Sequence, residues 1–191
     1  MTTPPIRMPL PSRDAMNEAQ RAAADELIAG PRKGIYGPFI ALLRSPDLMA
    51  RLQKVGEYLR FGSTVPPRLS EFAILLVSRA WTQQFEWAMH VPLALTAGVA
   101  QETIDAIQEG RRPSTASAEE LAVFDFTSEL LAHHGVSDVT YQACVSRFGE
   151  QGVVDLVSIN GYFTTMSMVL NVAHIPAESN GAIIALPPLP R

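Results

Sequence analysis

The stretch WTQQFEWAMH, residues 81–90, sets Glu86 and His90 four residues apart in an otherwise apolar, aromatic-rich segment. On a helix this spacing puts both side chains on one face, within about 40° of each other. A carboxylate beside an imidazole holds the ring's orientation and favours its protonated form, which suits general acid/base work near neutral pH. The plain alternative is a solvent-facing pair contributing only a few tenths of a kcal/mol. A third group favours the chemical reading. Glu71 lies in LSEFAILLVS, where apolar residues cover most of the helix surface. It either faces solvent on a narrow strip with Arg68, Ser78 and Arg79 or points into a cavity. An unpaired buried carboxylate is costly, so a buried Glu71 needs a partner, and His90 is the obvious one.

Geometry then makes a demand on the backbone. One straight helix from Glu71 to His90 would separate them by about 28 Å. They meet only if the chain turns between them, although no glycine or proline stands there. Thr82 is the expected breaker: as the N-cap of a second helix it places Glu86 in the first turn, where the dipole favours negative charge. Trp81, Gln83, Phe85 and Trp87 are the expected pocket lining, each aromatic being otherwise plain core. Arg79 is read as exposed, and Tyr36 and Tyr162 as able to reach a pocket without being placed by sequence.

The rest of the chain supplies helices to hold these groups. Ser12 or Asp14 is the expected cap of a first helix through Ile28, closed by Gly30 and Pro31. The irregular loop GPRKGIYGP follows and lacks the GK[ST] of a phosphate-binding loop. DLMARLQKVGEYLRFG spaces Leu48, Leu52, Val55 and Leu59 as an amphipathic helix does. After STVPP come RLSEFAILLVSRAW, QFEWAMHVPLALTAG and QETIDAIQEG. SAEELAVFDFTSELLAHHG carries a Ser117–Glu120 capping box, with Gly135 expected as the left-handed cap. SDVTYQACVSRFG and a long apolar helix from about 151 to 173 complete the set. His133, His134 and His174 sit at helix ends, where a cation complements the carbonyl dipole. No segment alternates with period two, so the expected fold class is all-α.

Composition limits what such a bundle does. The 191 residues make one domain, 1–191, with proline-rich arms at about 1–13 and 175–191 that either wrap a neighbouring subunit or stay free. Apolar residues at 47% against 18% charge leave more apolar surface than a monomer hides, so a homo-oligomer is expected. A net charge of −4, with only RR at 111–112 clustered, argues against nucleic acid. The lone Cys144 excludes an intramolecular disulfide or CxxC framework and reads as a packed, inert thiol. VVDLVSINGYFTTMSMVLNVA is interrupted by Asp155, Asn160 and hydroxyl residues, so a buried bundle helix is expected there and no membrane partner. The N-terminus has no apolar signal region, and a cytoplasmic location is the expectation. Glu71, Glu86 and His90 are three candidate ligands without an HExxH pattern, so neither a metal nor another cofactor is expected.

From Glu71 through FEW and His90 to Gly98, with GPFIALLRSPDL before and GVVDLVSINGYFTTMSMVLN after, the sequence resembles the carboxymuconolactone decarboxylase family. That family's relatives include the alkylhydroperoxidase D-like proteins, and the resemblance spans roughly residues 35–172. It implies a compact helical bundle of the alkylhydroperoxidase D-like type, assembling as dimer, trimer or hexamer, with a site lined by the glutamate and histidine. The family's peroxidase branch carries a CxxC pair where this chain has Gln83 and Glu86. A peroxidatic cycle needs an attacking thiolate and a resolving thiol, so thiol peroxidase activity is disfavoured. What remains is acid/base equipment for cofactor-free decarboxylation or isomerisation of a small organic acid or lactone. His90 is the expected general acid/base, with Glu71 orienting it or taking the proton itself and Glu86 tuning the pair. A peroxiredoxin-like antioxidant protein and a catalytically silent binding protein on the same fold are the alternatives.

Overall fold

The computed structural model describes residues 5–177 and 185–187. Among the described residues there is no strand. A 3-10 turn, Arg13–Ala15, precedes α1 (Glu18–Ala29), α2 (Pro38–Leu42), α3 (Pro46–Phe61), α4 (Pro67–Ala80), α5 (Gln84–Thr96), α6 (Gln101–Gln108), α7 (Ala118–His133) and α8 (Asp138–Ala173). The all-α expectation holds.

Helix α4 is the centre. Every residue from Leu69 to Arg79 is buried, so the helix is enclosed on all sides, as an all-round apolar sequence requires. It packs on α5, α6, α7 and α8, while α1 lies on α3. Phe72, Ile74, Leu75, Trp87, Phe126, Leu156 and their neighbours form one continuous core. Asp155 of α8 ties the α3–α4 connection down, accepting from Ser63 Oγ and Thr64 N at 2.9 Å and from Tyr58 Oη at 3.1 Å. Burial opposes the charge of this carboxylate, but those donors, with Thr64 Oγ1 at 3.2 Å, outweigh it and hold its pKa below the usual range.

Several boundaries differ from the sequence reading. Asn17, not Ser12 or Asp14, caps α1, in a reciprocal capping box with Gln20. Those upstream residues belong to the 3-10 turn, where Ser12 makes no side-chain cap. Helix α2 interrupts what reads as loop, because Pro38 presets the first turn of a short apolar run. The left-handed residue after α7 is His134 (φ 62°) rather than Gly135, while the Ser117–Glu120 box forms as expected. Helix α8 breaks at Gly149 (φ 66°, ψ 175°), so the two C-terminal helices read from sequence are distinct stretches of one run. That run is long and apolar enough to cross a membrane by composition, yet 56% of its apolar window is buried within the protein.

The described parts of both arms lie on the chain's own helices. Arg7 N donates to Ala173 O at 2.9 Å, and the Arg44 guanidinium reaches Pro9 O at 2.6 Å. Gln84 pairs with both backbone groups of Leu186 at 2.9 Å, and Arg79 donates to Pro187 O at 2.7 Å. Arg79 is thus buried rather than exposed, and burial pushes its pKa down. Residues 1–4, 178–184 and 188–191 of the arms lie outside the described residues.

Candidate active site

The turn between α4 and α5 decides the site. Thr82 takes a left-handed conformation, φ 46°. Gln83 N donates to Ser78 O at 2.8 Å and Thr82 N to Arg79 O at 3.0 Å, the paired bonds of a Schellman C-cap. Thr82 therefore ends α4 instead of starting α5. The N-cap is Gln83, whose Oε1 accepts from Phe85 N at 2.6 Å and Glu86 N at 3.3 Å. Its Nε2 donates to Asn171 Oδ1 at 3.0 Å, fastening the turn to α8. The chain folds back between the two helices at Thr82, the expected breaker, while the N-cap falls one residue later, on Gln83.

This reversal lays α5 along α4 and brings Glu71, Glu86 and His90 together. His90 Nδ1 lies 2.6 Å from Glu71 Oε2, and His90 Nε2 lies 3.3 Å from Glu86 Oε2. His90 and Glu86 are each 3% exposed and Glu71 is 9% exposed. The Phe163 ring stands at 87° to the imidazole, centroids 5.1 Å apart, and fixes its plane. Burial alone would strip His90 of its proton, but the hydrogen bonds and charges of Glu71 and Glu86 prevail and raise its pKa to about 9. The raised pKa favours the imidazolium near neutral pH, with Nδ1–H donating to Glu71 and the Glu86 carboxylate standing 3.3 Å from Nε2.

Glu86 and His90 open onto a cavity whose wall includes Phe85, Met89, Tyr162, Phe163 and Met166. Its enclosed part measures about 40 Å³, within about 420 Å³ of space running out to the surface. The inner part admits a few waters or a carboxylate-sized group, and a larger ligand must extend into the outer funnel. Glu71 is not part of that wall and holds Nδ1 from behind. Among the expected pocket residues Phe85 lines the cavity. Trp81, Gln83 and Trp87 do not: Trp87 is packed in the core, Trp81 rests against it, and Gln83 is consumed by capping. Tyr36 and Tyr162 reach the wall, joined by Arg32 and Arg60, which sequence reasoning left unmarked. Arg32 sits in the irregular loop before α2 and Arg60 in the last turn of α3, where a cation reads as a response to the dipole.

Among the described residues no three His, Cys, Asp or Glu side chains are grouped to hold a metal ion. Cys144 is fully buried on α8, its thiol 3.6 Å from Ala122 O of α7, and burial pushes its pKa to about 11. It is not part of the cavity wall.

Residues 46–129 match the carboxymuconolactone decarboxylase family. Among solved structures the chain is similar to "alkylhydroperoxidase AhpD core: uncharacterized peroxidase-related protein" from Ralstonia eutropha JMP134. The TM-score is 0.73 at 17% identity, over 96% of this chain and 98% of that one. Identity this low speaks for the fold alone. No curated protein matches the chain. The matched segment holds the α4–α5 turn with Glu71, Glu86 and His90, so the chain is similar to the carboxymuconolactone decarboxylase family over residues 46–129 and shares the all-α fold of that solved structure.

Proposed function

We propose that the protein is a cofactor-free acid/base catalyst acting on a small organic acid or lactone, with decarboxylation as its leading reaction and isomerisation its nearest variant. The observation that carries this reading is His90 held between Glu71 Oε2 and Glu86 Oε2 at the wall of a sheltered cavity. Glu71 fixes the ring from behind, as a carboxylate does for a catalytic imidazole, and leaves the Nε2 side to the cavity. In a lactone acid, the bond between the ring carbon and its carboxylate breaks and carbon dioxide leaves. The electron pair moves into the conjugated lactone carbonyl, and the His90 imidazolium delivers its Nε2 proton to the resulting dienolate. Water returns a proton to His90, and Glu86 keeps the donor facing inward. A double-bond shift without loss of carbon dioxide would use the same donor after the Glu86 carboxylate takes a proton from a substrate carbon, so that one C–H bond breaks and another forms.

The test is carbon dioxide release from carboxymuconolactone and related lactone acids. The wild-type chain should turn one of them over, and His90→Ala and Glu71→Gln should each lose about a hundredfold or more, the usual worth of a positioned proton donor. Unchanged turnover in both variants overturns the reading. Hydroperoxide turnover that disappears in Cys144→Ser would replace it with a peroxidase, an outcome the buried, high-pKa thiol argues against. We further propose that the molecule works as a homo-oligomer in the cytoplasm.

A further inference from the structure

We propose that Arg32, Arg60 and Tyr162 form a carboxylate-binding subsite in the cavity that His90 and Glu86 line. Three elements deliver these donors: the loop before α2, the last turn of α3, and α8. Tyr162 is 7% exposed, and its buried hydroxyl has no hydrogen-bond partner among the described residues. An orphaned buried hydroxyl is costly, so it is kept where something else satisfies it. Both guanidiniums are half-buried at the cavity wall and form no ion pair or hydrogen bond among the described residues. Their contacts are with aromatic faces: Arg32 Cζ stands 4.5 Å from the Phe39 ring centre and Arg60 Cζ 5.2 Å from that of Phe61. A face of this kind orients a guanidinium while leaving its donor edge free.

Gly56 shows where two of the donors, Arg32 and Tyr162, converge. A Cβ at that position would stand 2.8 Å from Arg32 Nη2 and closer still to Tyr162 Oη. Any larger residue there would push the hydroxyl and the guanidinium apart, so the bare helix backbone keeps the two donors side by side. The charges complete the case. Two carboxylates and one imidazolium leave the proton-handling centre one charge negative, which alone would repel an acid. Arg32 and Arg60 reverse that sign on the way in and act on the Tyr162 hydroxyl together with Glu86, although burial is what chiefly raises its pKa. A ligand that accepts from a phenol and two planar guanidinium forks, and donates to none, is a carboxylate.

This subsite deepens the acid/base reading and rests on it only for the reaction that follows binding. The test is calorimetric titration of the full chain, at fixed ionic strength, with a saturated γ-lactone carboxylate, its methyl ester and inorganic phosphate. The carboxylate should bind at least about tenfold more tightly than the ester and more tightly than phosphate. Arg32→Gln, Arg60→Gln and Gly56→Ala should each weaken the acid about tenfold while the ester is unaffected, and Tyr162→Phe should weaken it severalfold. Arg32 is in a loop, so its variant keeps the test valid if a helical variant fails to fold. Equal affinity for acid and ester, preference for phosphate, or an unaltered affinity in Arg32→Gln overturns the subsite. His90→Ala, by contrast, should abolish turnover and still bind the lactone carboxylate, which separates failure of the subsite from failure of the catalyst.

Discussion

At the scale of single residues, His90 is governed by a contest between burial, which disfavours its charge, and the carboxylates of Glu71 and Glu86, which prevail. Its pKa of about 9 lies above the ordinary 6.5, so the sign of the linkage follows directly. The folded state binds the proton more tightly than the unfolded chain, and the stabilisation is complete below the unfolded value. It fades as pH climbs from about 6.5 through about 9, by on the order of 3 kcal/mol at most. Unfolding midpoints taken from pH 6 to pH 10 should fall over that window in the wild type and stay flat there in His90→Asn. On the proposed mechanism, in which the imidazolium is the donor, the same titration should set an alkaline limb on activity. Glu71→Gln removes the closer carboxylate and should move both the limb and the imidazole NMR titration to lower pH. A limb that stays in place would mean that Glu71 does not act through His90.

At the scale of elements, the α4–α5 turn shows what the letters disclose and what they do not. Glu71, Glu86 and His90 were legible because a carboxylate inside LSEFAILLVS requires a partner, and the need for a reversal follows from helix geometry alone. The manner of the reversal was not legible. Threonine is a poor left-handed residue, glutamine is an uncommon N-cap, and neither type announces a Schellman turn. Their job is visible only once Asn171 of α8 is alongside. Arg32, Arg60 and Tyr162 were hidden for a related reason, since they converge through packing of distant elements and share no spacing. The turn itself invites a paired test. A left-handed β-branched residue costs about 1–2 kcal/mol, so Thr82→Gly should stabilise the chain modestly after paying glycine's backbone entropy. Gln83→Ala loses the cap and the tie to Asn171 and should destabilise by about 1 kcal/mol or more. Urea unfolding of both variants checks the pair, and a destabilised Thr82→Gly would contradict the strain assigned to that residue.

At the scale of the whole molecule, the outer side of α8 carries an apolar stripe that the described residues leave uncovered. Val154, Val157, Met168 and Val172 are 62%, 44%, 43% and 56% exposed, and Gly161 between them has nothing within 4 Å of a would-be side chain. The stripe repeats at the spacing of a helix–helix seam. It runs into a groove of about 350 Å³ lined by Met8, Leu42, Met168, Val169 and Val172, so the uncovered surface is broad as well as long. Its order along the helix is symmetric about residue 163 to within half a residue: an antiparallel copy would set Val154 against Val172, Gly161 against Thr165, and Val157 close to Met168. A surface that complements itself under a two-fold axis is what an isologous dimer requires, and glycine at the crossing lets the backbones approach. The pocket-lining Tyr162, Phe163 and Met166 leave α8 on its buried side, so pairing along the stripe would brace the helix without closing the cavity. Light scattering coupled to gel filtration should find the wild type at twice the chain mass or a multiple of it. Val157→Glu and Met168→Glu, each placing a charge opposite an apolar residue of the other copy, should shift it to monomer while the lactone carboxylate still binds. A monomeric wild type at micromolar concentration, or an oligomer indifferent to both charges, would mean that the stripe is not where copies of this chain meet.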